Sequence, residues 1–415
     1  MLLSSPGKIS RDVTADCNWA IPRGDRVVAI IDHSLLTDAA ATRVLDTVRI
    51  AARSCHGYRE EEPIRIISCE RSPDMSSICA VATLLRSRHD AIVVAIGGGA
   101  TMDTAALATL WAGDEFAERR SIVPQRSGVV FLPTSVTRRH LLMAVPTTIG
   151  TGAETSHSAC FLHEGLRRLV ISDSLRADAV LYDRDLLAGT PEWLVRQSLL
   201  EIFFRLSVAV LGVMNDRHSQ GDNIVNAVRE NVRLGDRPLD PDARMRMACL
   251  SASSHSAALM AGVDPFAGKL WYIATEMSDV LGVRKVDAMA TLFPAMFTLI
   301  ERGKQVWGSR TRLEYLWNIV RSASVENLPI VAHEGIRVLL KHWRIAGTSI
   351  SPSDIDLIVQ RSICRWGGGL PMLSGIRSND VCDLLKLCIP AVTLDKHNSQ
   401  DHPGSRMETS KPYNV

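Results

Sequence analysis

The chain has 415 residues, 46% of them apolar and 22% charged, with a formal net charge of +2. That length supports two ordinary domains with a sizeable core, and so even a charge balance offers no basic face for nucleic acid or membrane. No apolar run reaches the ~20 residues of a membrane span, residues 1–8 lack the pattern of a signal peptide, and nine scattered cysteines without a CxxC pair fit reduced thiols, so a cytoplasmic setting is expected.

Residues 26–31 (RVVAII, ending at Asp32) read as a buried strand. Helical spacing follows over 37–53, a second strand over 64–68, and a helix over 74–88 capped by Asp74. A third strand, 90–96, runs straight into Gly97-Gly98-Gly99. Strands alternating with helices predict a parallel sheet with crossover helices. Residues 127–132 and 141–145 read as further strands, 158–162 and 167–172 as a hairpin around His163-Glu164-Gly165, and 179–182 as a last strand closed by Asp183. After Pro191 long helical patterns take over, at 192–214, 242–261, 266–281, 286–302, 309–323, 330–344, 353–363 and 378–388.

Gly97-Gly98-Gly99-Ala100-Thr101-Met102-Asp103-Thr104-Ala105 lies between a strand and a helical stretch. Glycines there permit a sharp turn and let backbone N–H groups face an anion, with the positive end of the helix behind them. This is not a GxGxxG fingerprint, and taken alone it is equally well a structural turn. A second loop, Pro146-Thr147-Thr148-Ile149-Gly150-Thr151-Gly152-Ala153-Glu154-Thr155, follows another strand. Open α/β sheets bind ligands at the carboxyl ends of their strands, so two polar glycine loops there point to a ligand.

GGGATMDTA followed by VPTTIGTGAET resembles the iron-containing alcohol dehydrogenase family, which shares its fold with dehydroquinate synthases. The family pattern is GGGSxxDTAK, then PTTxGTGSE. Residues 175–183 (LRADAVLYD) resemble its LxPDxAIxD segment, Pro191 falls at its LP pair, and residues 370–374 (LPMLS) resemble its closing segment. The resemblance implies an α/β dinucleotide-binding domain with a parallel sheet over 1–188, then an all-α domain over 189–394, both dehydroquinate synthase-like. Residues 395–415 form a polar tail expected to be disordered. It also implies a homodimer and an NAD cofactor. Gly98, Gly99 and Ala100 would face the pyrophosphate, Asp103 would belong to the same cofactor-binding set, and Thr147, Thr148 and Thr151 would line the cleft. Asp32 would accept from the ribose hydroxyls and repel a 2′-phosphate, which favours NAD over NADP. The alternative is Asp32 as an ordinary turn residue. Ala106 departs from the pattern, where the family usually has Lys.

In that family one Asp and three His hold a divalent metal. Counted from Asp183, the Asp and first His positions are Glu201 and Arg205; the other two His, in the family's GxxH and PHGxxNAxxLP motifs, match Trp271 and Lys285. Arg and Lys are protonated donors and Trp cannot ligate, so no metal is expected. His157, His218 and His255 are candidates to rebuild a site, but they lack ligand spacing.

Arg205 and Lys285 would instead bring two cations to one place, as oxyanion stabilisers or as a clamp for a substrate carboxylate. Glu201 and Trp271 would complete that substrate site, and His157 or Lys269 would move the proton. The plainer reading is a Glu201–Arg205 helix salt bridge. The functional expectation is a metal-independent NAD-linked dehydrogenase acting on a hydroxyl near an anionic group of a small molecule or peptide. A β-hydroxy acid that then decarboxylates fits, including a C-terminal threonine as in the metal-poor branch associated with ribosomally made peptides. The alternatives are a non-catalytic nucleotide- or partner-binding member and, less well matched, a lyase of the dehydroquinate synthase type.

Overall fold

The computed structural model describes residues 8–10, 26–54, 65–69, 73–88, 91–212, 221–260 and 262–389. The expected tail at 395–415 and His218 lie outside them. The first half runs β1 (Lys8–Ser10), β2 (Arg26–Asp32), α1 (Ala39–Ser54), β3 (Arg65–Cys69), α2 (Met75–Arg86) and β4 (Ala91–Gly97). It continues with α3 (Gly99–Gly113), α4 (Glu115–Ile122), β5 (Val129–Phe131), β6 (Leu141–Pro146), β7 (Ser158–His163), β8 (Leu166–Ile171), β9 (Ala179–Leu181) and α5 (Arg184–Ala188). Asp74 caps α2 as expected, accepting from the Ser77 N–H at 2.9 Å.

Six strands form one parallel sheet in the order β1-β9-β6-β4-β2-β3. The apolar runs of β2 and β4 are buried on both faces, which is why they read as continuous rather than alternating. Val28, Ile30, Val93 and Ala95 join the core that contains α2 and α3. Val27, Ile31, Ile92 and Val94 join the opposite core, with Ala41 and Val44 of α1. From β2 the chain goes out to β3 on one side and returns to β4 on the other. Such a reversal opens a crevice at the carboxyl ends of the two strands, the usual ligand position in open α/β sheets. Asp32 ends β2 and Gly97 ends β4, beside Pro146 at the end of β6.

The strand predicted at 127–132 does not join this sheet. As β5 it pairs with β8, and the predicted hairpin forms as antiparallel β7–β8. Glu164 and Gly165 turn the hairpin with φ of 51° and 72°.

From α6 onward every regular element among the described residues is helical. These are α6 (Glu192–Leu211), α7 (Gly221–Gly235), α8 (Pro241–Ser253), α9 (Ala257–Met260), α10 (Lys269–Leu281), α11 (Lys285–Glu301), α12 (Arg310–Ala323), α13 (Ala332–His342), α14 (Pro352–Trp366) and α15 (Ser378–Lys386). Neither α4 nor α7 was anticipated. The helix expected over 242–261 is two helices, interrupted where the Ser254 N–H folds back onto the Leu250 and Ser251 carbonyls.

Two arginine-centred networks tie the helical half to the sheet half. Arg244 of α8 donates to the carbonyls of Leu187, Ala188 and Thr190 at the end of α5. Glu276 of α10 is wholly buried and accepts from Arg361 Nε at 2.7 Å, Arg365 Nη1 at 2.5 Å and Trp366 Nε1 at 2.8 Å. Arg365 also donates to the Arg167 carbonyl on β8, and Arg167 pairs with Asp279 at 2.7 Å. Removing one partner of such a cluster leaves buried cations uncompensated. Glu276→Ala is therefore expected to cost about 3–5 kcal/mol, read by denaturant unfolding. A loss under about 1 kcal/mol would show that the two arginines re-solvate.

Candidate active site

The two glycine loops pack directly on each other. The Thr147 N–H donates to the Gly97 carbonyl at 2.9 Å. A Cβ on Gly98 would come within 3.1 Å of Thr148 Oγ1, and one on Gly99 within 3.2 Å of Thr151 Cγ2. Gly98 is the N-cap of α3 and supplies no side-chain acceptor, so the first N–H groups of that helix, at Gly99, Ala100 and Thr101, are left to a ligand. The second loop is anchored from behind. Thr190 Oγ1 donates to the Thr147 carbonyl at 2.6 Å and Ser198 Oγ to the Ile149 carbonyl at 2.5 Å. The residues fit the diphosphate of a dinucleotide.

Asp32 sits at the mouth of the crevice, but one of its oxygens is already engaged. Oδ1 accepts from the Ser34 N–H at 3.0 Å and from Ser34 Oγ at 2.6 Å. The turn reading of Asp32 is thus realised, with Oδ2 left over for a ribose. Asp103 has a partner within the fold as well. Its Oδ2 accepts from the Cys160 N–H at 3.0 Å, tying α3 to β7, and it feels the charges of Lys285 and Arg167. Burial pushes its carboxyl up to about 7.

The four positions matched to metal ligands converge. Burial raises the Glu201 carboxyl, and the charges of Arg205 and then Lys285 oppose that rise. The Lys285 ammonium lies over the Trp271 ring, 4.3 Å from its centroid, and Trp271 in turn stacks on Phe204 at 5.5 Å. Burial lowers the Lys285 pKa. Arg167 adds to the effect, while Cys160, Glu201 and Asp279 resist it. Lys285 is also the first residue of α11, where the positive end of a helix disfavours a cation.

Arg205 is not the second free cation that the sequence suggested. Its Nε donates to Ser254 Oγ at 2.8 Å, and its Nη2 to Ser251 Oγ at 3.1 Å and to the Gly150 carbonyl. Among the described residues no ion pair joins it to Glu201, so the helix salt bridge does not form either. The guanidinium is a brace that fixes the second glycine loop to α6 and α8. Burial lowers its pKa, with Glu201 and Glu154 opposing. Sequence reasoning missed Ser251, Ser254 and the Gly150 carbonyl, since nothing in the local spacing marks contacts made 46 to 55 residues away.

The side chains considered for proton transfer each have surroundings of their own. Lys269 Nζ donates to the carbonyls of Val306 at 3.1 Å and Ser374 at 2.9 Å. His157 lies near Arg176; partial burial of its ring and then that charge hold its pKa below the ordinary value. His255 Nε2 donates to the Thr151 carbonyl at 3.1 Å, and burial followed by the Arg205 charge keeps its ring neutral.

A divalent metal does not fit this donor set. Of Glu201, Arg205, Trp271 and Lys285, only Glu201 offers a lone pair at neutral pH. Among the described residues no group of three or more His, Cys, Asp or Glu is placed to hold an ion.

Fold and site together define an α/β half with two glycine loops at the carboxyl ends of its strands, followed by a helical half. Residues 15–184 match the family model for iron-containing alcohol dehydrogenase. The chain is similar to the NADH-dependent butanol dehydrogenase A of Thermotoga maritima, with a TM-score of 0.73 over 94% of this chain and 98% of that one, at 16% identity. It is 27% identical over 253 residues to the phosphonoacetaldehyde reductase of Streptomyces viridochromogenes, covering 59% of this chain and 60% of the relative. It is 24% identical over 248 residues to aldehyde-alcohol dehydrogenase 2 of Entamoeba histolytica, covering 57% of this chain. The match spans only 27% of that relative's length. The likeness to the iron-containing alcohol dehydrogenase model thus lies in the first half of the chain, and the likeness to the solved structures extends the fold over the second half.

Gly152 tests the packing of the second loop. Its φ is +62°, and a Cβ there would lie 2.3 Å from the His255 ring. Gly165 has φ +72° with nothing within 4 Å. Gly165→Ala is expected to cost about 1–2 kcal/mol of backbone strain alone. Gly152→Ala should cost clearly more in chemical denaturation. Equal losses would show that His255 moves aside freely.

Proposed function

We propose that this chain is an NAD-linked oxidoreductase that interconverts a hydroxyl and a carbonyl next to an anionic group, with the Lys285 ammonium in place of a metal ion. The observation that carries this reading is Lys285 held over the Trp271 ring and close enough to Glu201 for each to feel the other's charge. The anionic aldehyde named for the Streptomyces relative agrees with a cationic substrate site. Bound NAD supplies the hydride acceptor, held by the N–H groups that open α3 and by the threonines of the second loop.

Lys285 points a fixed positive charge at the oxygen that becomes negative, or at the neighbouring carboxylate. In a buried site such a charge acts with little screening. Glu201, beside it, is the group placed to exchange a proton with the alcohol oxygen. Trp271 and Phe204 keep water from the ammonium. Where the substrate is a β-hydroxy acid, including a C-terminal threonine, its oxidation gives a β-keto acid. The bond to the carboxylate then breaks, CO2 leaves, and the electron pair passes to the ketone oxygen as an enolate.

The direct test is absorbance at 340 nm with NAD and a panel of β-hydroxy acids, uncharged alcohols and threonine-ended peptides. Turnover is expected for the anionic substrates. None across the panel would leave a nucleotide-binding protein without this activity. Lys285→Met should lower kcat by about 10²–10³-fold, as loss of an oxyanion-stabilising group does, with NAD affinity retained. Activity that requires the ammonium must fall as pH rises through the lowered lysine pKa. That alkaline limb should disappear in Lys285→Met, and a limb that persists would assign it to another group.

A further inference from the structure

Behind the Phe204–Trp271 stack the helical half holds a cavity of about 220 Å³. It lies between α6, the start of α10, α11 and the segment 305–308, and none of Glu201, Arg205, Trp271 or Lys285 lines it. An apolar cavity of ~150 Å³ already accepts benzene, so this one has room for a larger body. Its apolar walls are Phe204, Leu211, Phe293, Met296 and Trp307.

Two opposite charges line the same space, Lys269 and Asp264. An ammonium has three N–H donors, and Lys269 gives two of them to the Val306 and Ser374 carbonyls, which fixes the head and leaves one. Asp264 accepts from the Phe266 N–H through Oδ1 at 2.9 Å, and no described residue donates to Oδ2. A polar pair of this kind beside an apolar chamber matches a ligand with a carboxylate, an ammonium and an apolar side chain.

We infer that this cavity is a second ligand site, distinct from the dehydrogenase site, and that it takes a free α-amino acid with an apolar side chain. The carboxylate meets Lys269, the ammonium meets Asp264, and the side chain packs among the aromatic walls. Phe204 is shared with the Trp271 stack, so an occupant touches the wall of the Lys285 site without entering it.

Titration calorimetry of the full chain tests this without any turnover, so its outcome is separate from that of the dehydrogenase assay. The probes are L-leucine and L-phenylalanine, with hexanoate and hexylamine as ligands that keep only one of the two charges. At millimolar concentration the amino acids are expected to bind at least about tenfold more tightly than either single-charge probe. Asp264→Asn, which keeps the shape, should weaken leucine by a similar factor. Val208→Phe, which fills the cavity from its wall, should abolish binding while the melting temperature is retained. Absence of leucine and phenylalanine binding overturns the inference. So does hexanoate binding as well as leucine, or leucine binding unchanged in Asp264→Asn; the last two keep their force even if Val208→Phe fails to fold.

Discussion

Ionisable groups shut away from water at the foot of the cleft set the terms for everything around them. Burial works against the charged form of Lys285, Glu201 and Arg205 alike, and each is opposed by the charge of a neighbour. A buried charge persists only when polar partners or opposite charges compensate it. The fold meets that condition in two different ways. Arg205 is taken up by two serines and a backbone carbonyl, and becomes part of the scaffold. Lys285 is met by an aromatic face and a carboxylate, and so keeps donors for a ligand.

That division of labour explains how the site is assembled. The Gly150 carbonyl bound by Arg205 belongs to the loop that packs on Gly98 and Gly99. The cleft floor and the nucleotide loops are thus one connected piece of structure. Asp103 adds a second connection, from α3 to β7 through the Cys160 N–H, close enough to feel the Lys285 charge. In the proposed reading, a fixed cation held this way gives less charge than a divalent ion but needs no loading.

The sequence made legible whatever is local. Apolar runs at β2 and β4, the glycine loops at strand ends, the β7–β8 hairpin and most helices of the second half were readable because their signals lie within a few residues. The four positions matched to the family pattern, Glu201, Arg205, Trp271 and Lys285, also come together in space. What was hidden depends on distant contacts. Helix α7 was overlooked because its apolar positions, Ile224, Val228 and Val232, follow a polar stretch that reads as loop. The break after α8 could not be read from helical periodicity, yet it carries Ser254 to Arg205 and His255 to Thr151. Asp103 was read only as part of the glycine-loop motif, because its bond to the Cys160 N–H spans 57 residues and leaves no local signal.

The central claim is that a side-chain cation occupies the place where the family keeps a metal. Elemental analysis of the purified chain, before and after dialysis against a chelator, tests this most directly. The account predicts iron and zinc far below one atom per chain, with folding and nucleotide binding unchanged by the chelator. One tightly held divalent ion per chain, lost together with either property on chelation, would contradict it.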